Sequence, residues 1–176
     1  MEKKNMQKHY EMVQFLLNIP SRIVQLHGLE NITEFVLHDI SSEQCFNFSK
    51  VGYFVDNPDF DCFKGVAGYH LNQQFSPQQI IWDDPYLFSS HMKQANFNNE
   101  VRKLACTSPK KGSICEKAFV KEVAQELKFD DPSYFCWKMK HDNHGLVIFE
   151  HANGHDHWDQ KDLAKGLNLL SLCPIF

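Results

Sequence analysis

The chain has 176 residues, 43% hydrophobic and 23% charged, with a formal net charge of −4. That length suits one domain with a sizeable core, and the balance excludes disordered, collagenous, rod-like and small disulfide-stapled classes. The mild acidic excess argues against a general polyanion binder and leaves room for a local basic patch.

Met6, Tyr10, Val13 and Leu17 recur at helical spacing, so the chain opens with a helix whose apolar face should pack on the rest of the domain. Pro20 is expected to stop it, Ser21 to cap a short second helix through Leu26, and Gly28 to end that one. Thr33 to Leu37 is the first plausible strand. Cys45 to Ser49 and Val51 to Val55 follow as β-formers, and the turn chemistry of Asp56-Asn57-Pro58-Asp59 joins them to a strand from Phe63 to Leu71. Two antiparallel strands are predicted there.

After the apolar run Ile80-Ile81-Trp82, an Asp cap and Pro85 at the first helical position open a helix towards Ala105. Ser113-Ile114-Cys115-Glu116 fits a capping box, followed at helical spacing by Phe119, Val120, Val123 and Leu127. Tyr134 to Met139 and Leu146 to Glu150 then flank His141-Asp142-Asn143-His144-Gly145 as a hairpin, with Gly145 available for positive φ. A helix from Trp158 to Leu172 closes the chain. The run Gln78 to Pro85 is echoed by Gln125 to Pro132, which reads as two uses of the same Asp-Asp-Pro capping chemistry rather than a duplication.

Without regular β-α alternation, these elements make one α+β domain over residues 1–176: an antiparallel sheet with helices at the N-terminus, middle and C-terminus. The hairpin and closing helix, about forty residues, resemble the ends of PAS- or GAF-type sensor domains; no site residue is carried over from that likeness. With fifteen Phe, the core should be built largely from aromatic clusters. No run approaches the roughly 18 apolar residues of a membrane span, and Met1-Glu2-Lys3-Lys4-Asn5 does not lead into an apolar signal core, so a cytoplasmic, non-membrane protein is expected. Six cysteines without a C-x-x-C pair are expected to be reduced and mostly buried. Sixteen Lys against two Arg, with twelve Asn, suggest an AT-rich microbial genome, and so a bacterial source.

Two constellations could carry binding chemistry. Arg102, Lys103, Lys110, Lys111, Lys117 and Lys121 crowd one stretch in which Glu116 is the internal acid. Pro109-Lys110-Lys111-Gly112-Ser113 runs into the capping-box helix, whose free amides favour a phosphate. Arg102, Lys103, Lys110, Lys111, Ser113, Lys117 and Lys121 are therefore the candidate phosphate or nucleic-acid contacts. Phe97, Phe119, Phe135 and Trp137 could serve as stacking surfaces. The G-x-x-x-x-G-K-[ST] pattern is missing, so ATP hydrolysis is not indicated.

The second is a histidine cluster: His141, His144, His151, His155 and His157, with Asp142, Asp156 and Asp159. His151, His155, His157 and Asp159 could ligate a divalent transition metal. His155-Asp156-His157-Trp158-Asp159 resembles the first metal motif of metallo-β-lactamase-type hydrolases, but Gln160 stands where that family has His, and none of the sixteen residues after it is His. That family is rejected. Asp56, Asp59 and Asp61 do not make an EF-hand, because Asp61 and Ala67 occupy the positions of its Gly and Glu. There is no G-x-S-x-G elbow and no protease-type Cys signature, so no catalytic residue is assigned.

The favoured reading is a non-catalytic domain that binds a nucleotide or nucleic acid through its phosphate and needs no cofactor. The alternatives are a metal protein built on the histidines and a structural or partner-binding protein. The apolar end Leu169 to Phe176 must pack on its own core or across an interface, which predicts a homo-oligomer, most simply a dimer.

Overall fold

The computed structural model describes residues 2–26, 28–73, 81–104, 114–152 and 159–174. Among these, α1 (Glu2–Gln25) and α2 (Ile32–Ser41) precede the strand pair β1 (Phe48–Asn57) and β2 (Cys62–His70). Three helices follow, α3 (Pro85–Gln94), α4 (Asn96–Lys103) and α5 (Lys117–Glu126), then β3 (Ser133–Lys138), β4 (His144–His151) and α6 (Gln160–Asn168), with a 3₁₀ turn over Leu169–Leu172. The strands form one sheet in the order β2-β1-β4-β3, antiparallel throughout, so the α+β reading holds.

Both faces of the sheet are covered, and the alternation along β1 shows how. Val51, Tyr53 and Val55 join Ala67, Tyr69, Val147 and Phe149 in a core shared with α1, α2, α3 and the C-terminal turn. Phe54 points the other way, with Leu146 and Ile148, onto Phe97 and Val101 of α4 and Val120, Val123 and Ala124 of α5. Period-2 side-chain direction thus supplies two hydrophobic surfaces from one strand.

α4 lies so close to β2 that a side chain at Gly65 would overlap the Val101 carbonyl oxygen, while the Gly65 amide donates to the Leu104 carbonyl at 2.7 Å. Lys50, in the same strand as Phe54, is buried; its Nζ donates to the carbonyls of Leu127 and Lys128 at 2.8 and 2.7 Å and sits about 5 Å from the Phe97 and Phe129 rings. It therefore pins the C-terminal end of α5, where a cation is favoured, and Lys128 at φ 56° ends that helix in the left-handed region. Burial pushes the Lys50 ammonium pKa down.

Several sequence expectations change. Pro20 does not stop the first helix: α1 runs through it, because Ile19 and Ile23 are buried on either side, and that burial offsets a proline penalty of about 3 kcal/mol. Of the predicted face, Met6, Tyr10 and Leu17 are exposed and Val13 is partly buried against the core; α1 packs mainly through Met12, Ile19 and Ile23, with Leu26 just beyond its end. Thr33 to Leu37 is helical, part of α2, whose residues are almost all buried. The helix from Pro85 breaks at Ala95 into α3 and α4, and α5 begins at Lys117, with Glu116 as an N-cap that makes no side-chain cap bond, so no capping box forms at that start.

Asp84 accepts from the Leu87 amide as the predicted cap, whereas Asp130-Asp131-Pro132 leads into β3. Asn57 Oδ1 accepts from the Asp59 amide, so the acidic run is a turn. Cys115 and Cys136 form a disulfide, their Cα atoms 5.8 Å apart, contrary to the expectation of reduced thiols throughout. It ties the entry to α5 to the middle of β3. Cys45 and Cys173 are free and buried, and burial lifts the Cys173 thiol pKa to about 12. No helix among the described residues is long and apolar enough to cross a membrane.

Candidate functional site

β3 and β4 are joined through Lys140–Asp142 by a tight turn, in which the Met139 amide donates to the Asn143 carbonyl at 2.7 Å and the Asn143 amide to the Lys140 carbonyl at 3.2 Å. His141 and Asp142 have φ of 58° and 56°, two left-handed residues in succession, which matches the twist of a hairpin. The turn thus places its positive φ on His141 and Asp142, and Gly145 lies within β4 instead. Gly145 is needed for space, since any side chain there would run into the Trp137 ring. A non-glycine residue in this region costs of order 1 kcal/mol or more, and such strain gathers at ligand sites.

Trp137 stands at the base of the turn, stacked on Tyr53 and Phe135 with centroids 5.8 Å away in each case. Its indole N–H donates to Ser171 Oγ at 2.8 Å, which fastens the hairpin to the C-terminal turn. Between the two lies a cleft of about 660 Å³, bordered by Trp137, Met139, Lys140, His141, Asn143 and Asn168. Among the described residues Asn143 Oδ1 accepts no hydrogen bond, and it is shielded from solvent. Lys138 pairs with Asp142, which holds that carboxyl below its usual range. Lys140 has no carboxylate partner among the described residues. The cleft therefore combines an aromatic wall and a cationic rim. It offers no activated nucleophile, since Ser171 Oγ is engaged by the indole rather than by a base.

A second polar centre is structural. Glu34 is 2% exposed, and its Oε1 accepts from Arg102 Nη1 at 3.0 Å, Asn31 Nδ2 at 3.1 Å and Asn98 Nδ2 at 3.2 Å. Asn98 also accepts from the Gly68 amide at 2.9 Å, and Asn31 Oδ1 accepts from Ser89 Oγ at 2.7 Å, so the network joins α2, α3, α4 and β2. Burial raises the Glu34 pKa, opposed by the Arg102 charge. A neighbouring recess of about 410 Å³ is lined by Gly28, Leu29, Glu30 and Arg102, and Glu30 pairs with Lys93 at 3.0 Å. Two acids against two bases leave little net attraction for an anion there.

Of the predicted phosphate contacts, Arg102 and Lys103 end α4, while Lys117 opens α5 and Lys121 follows one turn later. Arg102 is committed to Glu34, and Lys110, Lys111 and Ser113 lie outside the described residues. Phe97 is core rather than platform, and Phe119 packs edge-on against Phe63. Of the metal set, His151 ends β4 among Phe48 and Phe149, and Asp159 caps α6 by accepting from the Lys161 amide at 2.8 Å. His155 and His157 fall outside the described residues, among which no group of three or more His, Cys, Asp or Glu could hold a metal. The sequence reading missed Glu34; its signal was a carboxylate among the apolar residues Ile32, Phe35, Val36 and Leu37. No protein-family model matches the chain, and no curated protein does.

Proposed function

We propose that the chain is a non-catalytic binding domain for a small phosphate-bearing molecule with a flat ring, a mononucleotide being the class to test first, held between the β3–β4 hairpin and the C-terminal helix. What supports this is the cleft beside Trp137. The indole offers apolar surface to a ring, and Lys140 and His141 stand at the rim of the cleft, where an ammonium can pair with a phosphate. Its volume suits a mononucleotide rather than a duplex.

The test is a titration of untagged protein with labelled mononucleotides and oligonucleotides at low and high salt, followed also by tryptophan fluorescence. Saturable, salt-sensitive mononucleotide binding is expected, weakened about tenfold or more by Lys140→Ala, because a charge-assisted hydrogen bond is lost. The Lys110→Ala/Lys111→Ala double variant should bind as the parent does. The opposite pattern would move the site to the Arg102 to Lys121 segment, and an absence of binding at low salt would remove the nucleotide reading.

A further inference from the structure

α1 carries two apolar faces; the domain buries one and touches the other only through the partly buried Val13. Met12, Ile19, Ile23 and Leu26 are buried against α2 and the C-terminal turn. On a separate face, about 130° away at 100° per residue, Met6, Tyr10, Val13, Leu17, Pro20 and Val24 follow one another at steps of 4, 3, 4, 3 and 4. Met6 is 69% exposed, Tyr10 59%, Leu17 65% and Val24 73%. An alternation of three and four over five steps is the seam of a two-helix pairing, in which each residue enters a hole on a facing helix.

We propose that this seam is covered by α1 of a second copy of the chain, in an isologous dimer. Three observations favour that occupant. The residues flanking the seam on one side are Gln7, Gln14 and Ser21, all exposed and uncharged, so a copy meets no like-charge cost along that flank. The four exposed seam side chains offer at most roughly 500 Å² per chain, so only nearly complete cover, together with a polar rim, reaches the roughly 1,000 Å² at which specific interfaces begin. A face that repeats at this spacing is also self-complementary about a two-fold axis. In the C-terminal run, Leu170 and Cys173 are buried within the chain's own core, whereas Leu172 is 54% exposed.

The experiment is sedimentation equilibrium of the untagged full chain across the micromolar range. The parent should approach twice its 20.6 kDa mass. Leu17→Lys, which enters the seam twice per dimer, should raise the dissociation constant roughly 100-fold or more. Leu17→Met should keep the dimer. Because position 17 is already solvent-exposed in the single chain, the Leu17→Lys monomer should retain the parent's far-ultraviolet circular dichroism. A parent that stays monomeric would overturn the proposal, and its binding to phosphatidylserine vesicles would assign the seam to a membrane surface instead. A Leu17→Lys protein that dimerises like the parent, or that unfolds, would equally refute the assigned face. None of these readouts depends on the nucleotide cleft.

Discussion

Replacing Glu34 separates two opposed contributions at the one buried carboxylate that holds four elements together. Glu34→Leu removes the acceptor shared by Arg102, Asn31 and Asn98. Asn98 Nδ2 keeps the Met92 carbonyl at 3.0 Å, while Asn31, fully buried, loses the acceptor of its amide. Stranding one buried donor costs about 1–3 kcal/mol. Arg102, at 39% exposure, can turn to water, so the larger penalty of an isolated buried charge does not apply in full. Glu34→Leu should therefore lose about 2 kcal/mol at neutral pH, read from urea unfolding by tryptophan fluorescence.

Glu34→Gln keeps an oxygen in place and removes the desolvated charge, so it should stay within about 1 kcal/mol of the parent. Its pH dependence carries the sharper test. The folded pKa of Glu34 is raised above 4.5, mainly by burial. Between those two values the native state holds a proton that the unfolded chain has released, so parental stability rises as pH falls through the folded pKa and levels off below 4.5. Gln does not titrate. The stability difference between the two proteins should consequently shift in favour of the parent on acidification. A shift towards Glu34→Gln would mean that the Arg102 pair outweighs desolvation, and the reasoning would fail.

Gly65→Ala should cost at least about 3 kcal/mol or prevent folding, because the new methyl overlaps a backbone oxygen of α4 that cannot swing aside; a near-parental urea midpoint would contradict the close packing of α4 on β2. Reduction, or Cys115→Ser with Cys136→Ser, should lower stability by about 3 kcal/mol, the chain-entropy value for cysteines 21 residues apart. Equal unfolding curves with and without reductant would count against that pairing.

How much of the fold was legible follows from where the deciding contacts lie. The β3–β4 hairpin, the Asn57 turn, the Asp84 cap and the buried face of α5 rest on neighbours a few residues apart, and the sequence displays them. α2 is different. Thr33 and Val36 favour a strand locally, but the segment is enclosed by two helices and the sheet, so burial leaves no polar face from which to read a helical period. α1 misled in the opposite sense. It has two apolar faces, and its most regular spacing belongs to the one that the single chain leaves mostly in water.

The basic segment was the strongest charge signal in the sequence, yet a charge count along the chain cannot see a partner at a distance. Arg102 meets Glu34 across 68 residues of sequence, and Lys50 meets the end of α5 across 77. Both cations are taken up by groups that only the folded chain brings near. Lys140 and His141 look weaker in sequence, being two members of a mixed loop with an adjacent Asp. Geometry reverses the ranking, because the left-handed turn holds both at the edge of a cleft whose inner wall is Trp137. A cation contributes to recognition in proportion to the charge that the fold leaves uncompensated, and by that measure Lys140, without a carboxylate partner among the described residues, has more to offer an anion than Arg102, which Glu34 takes up.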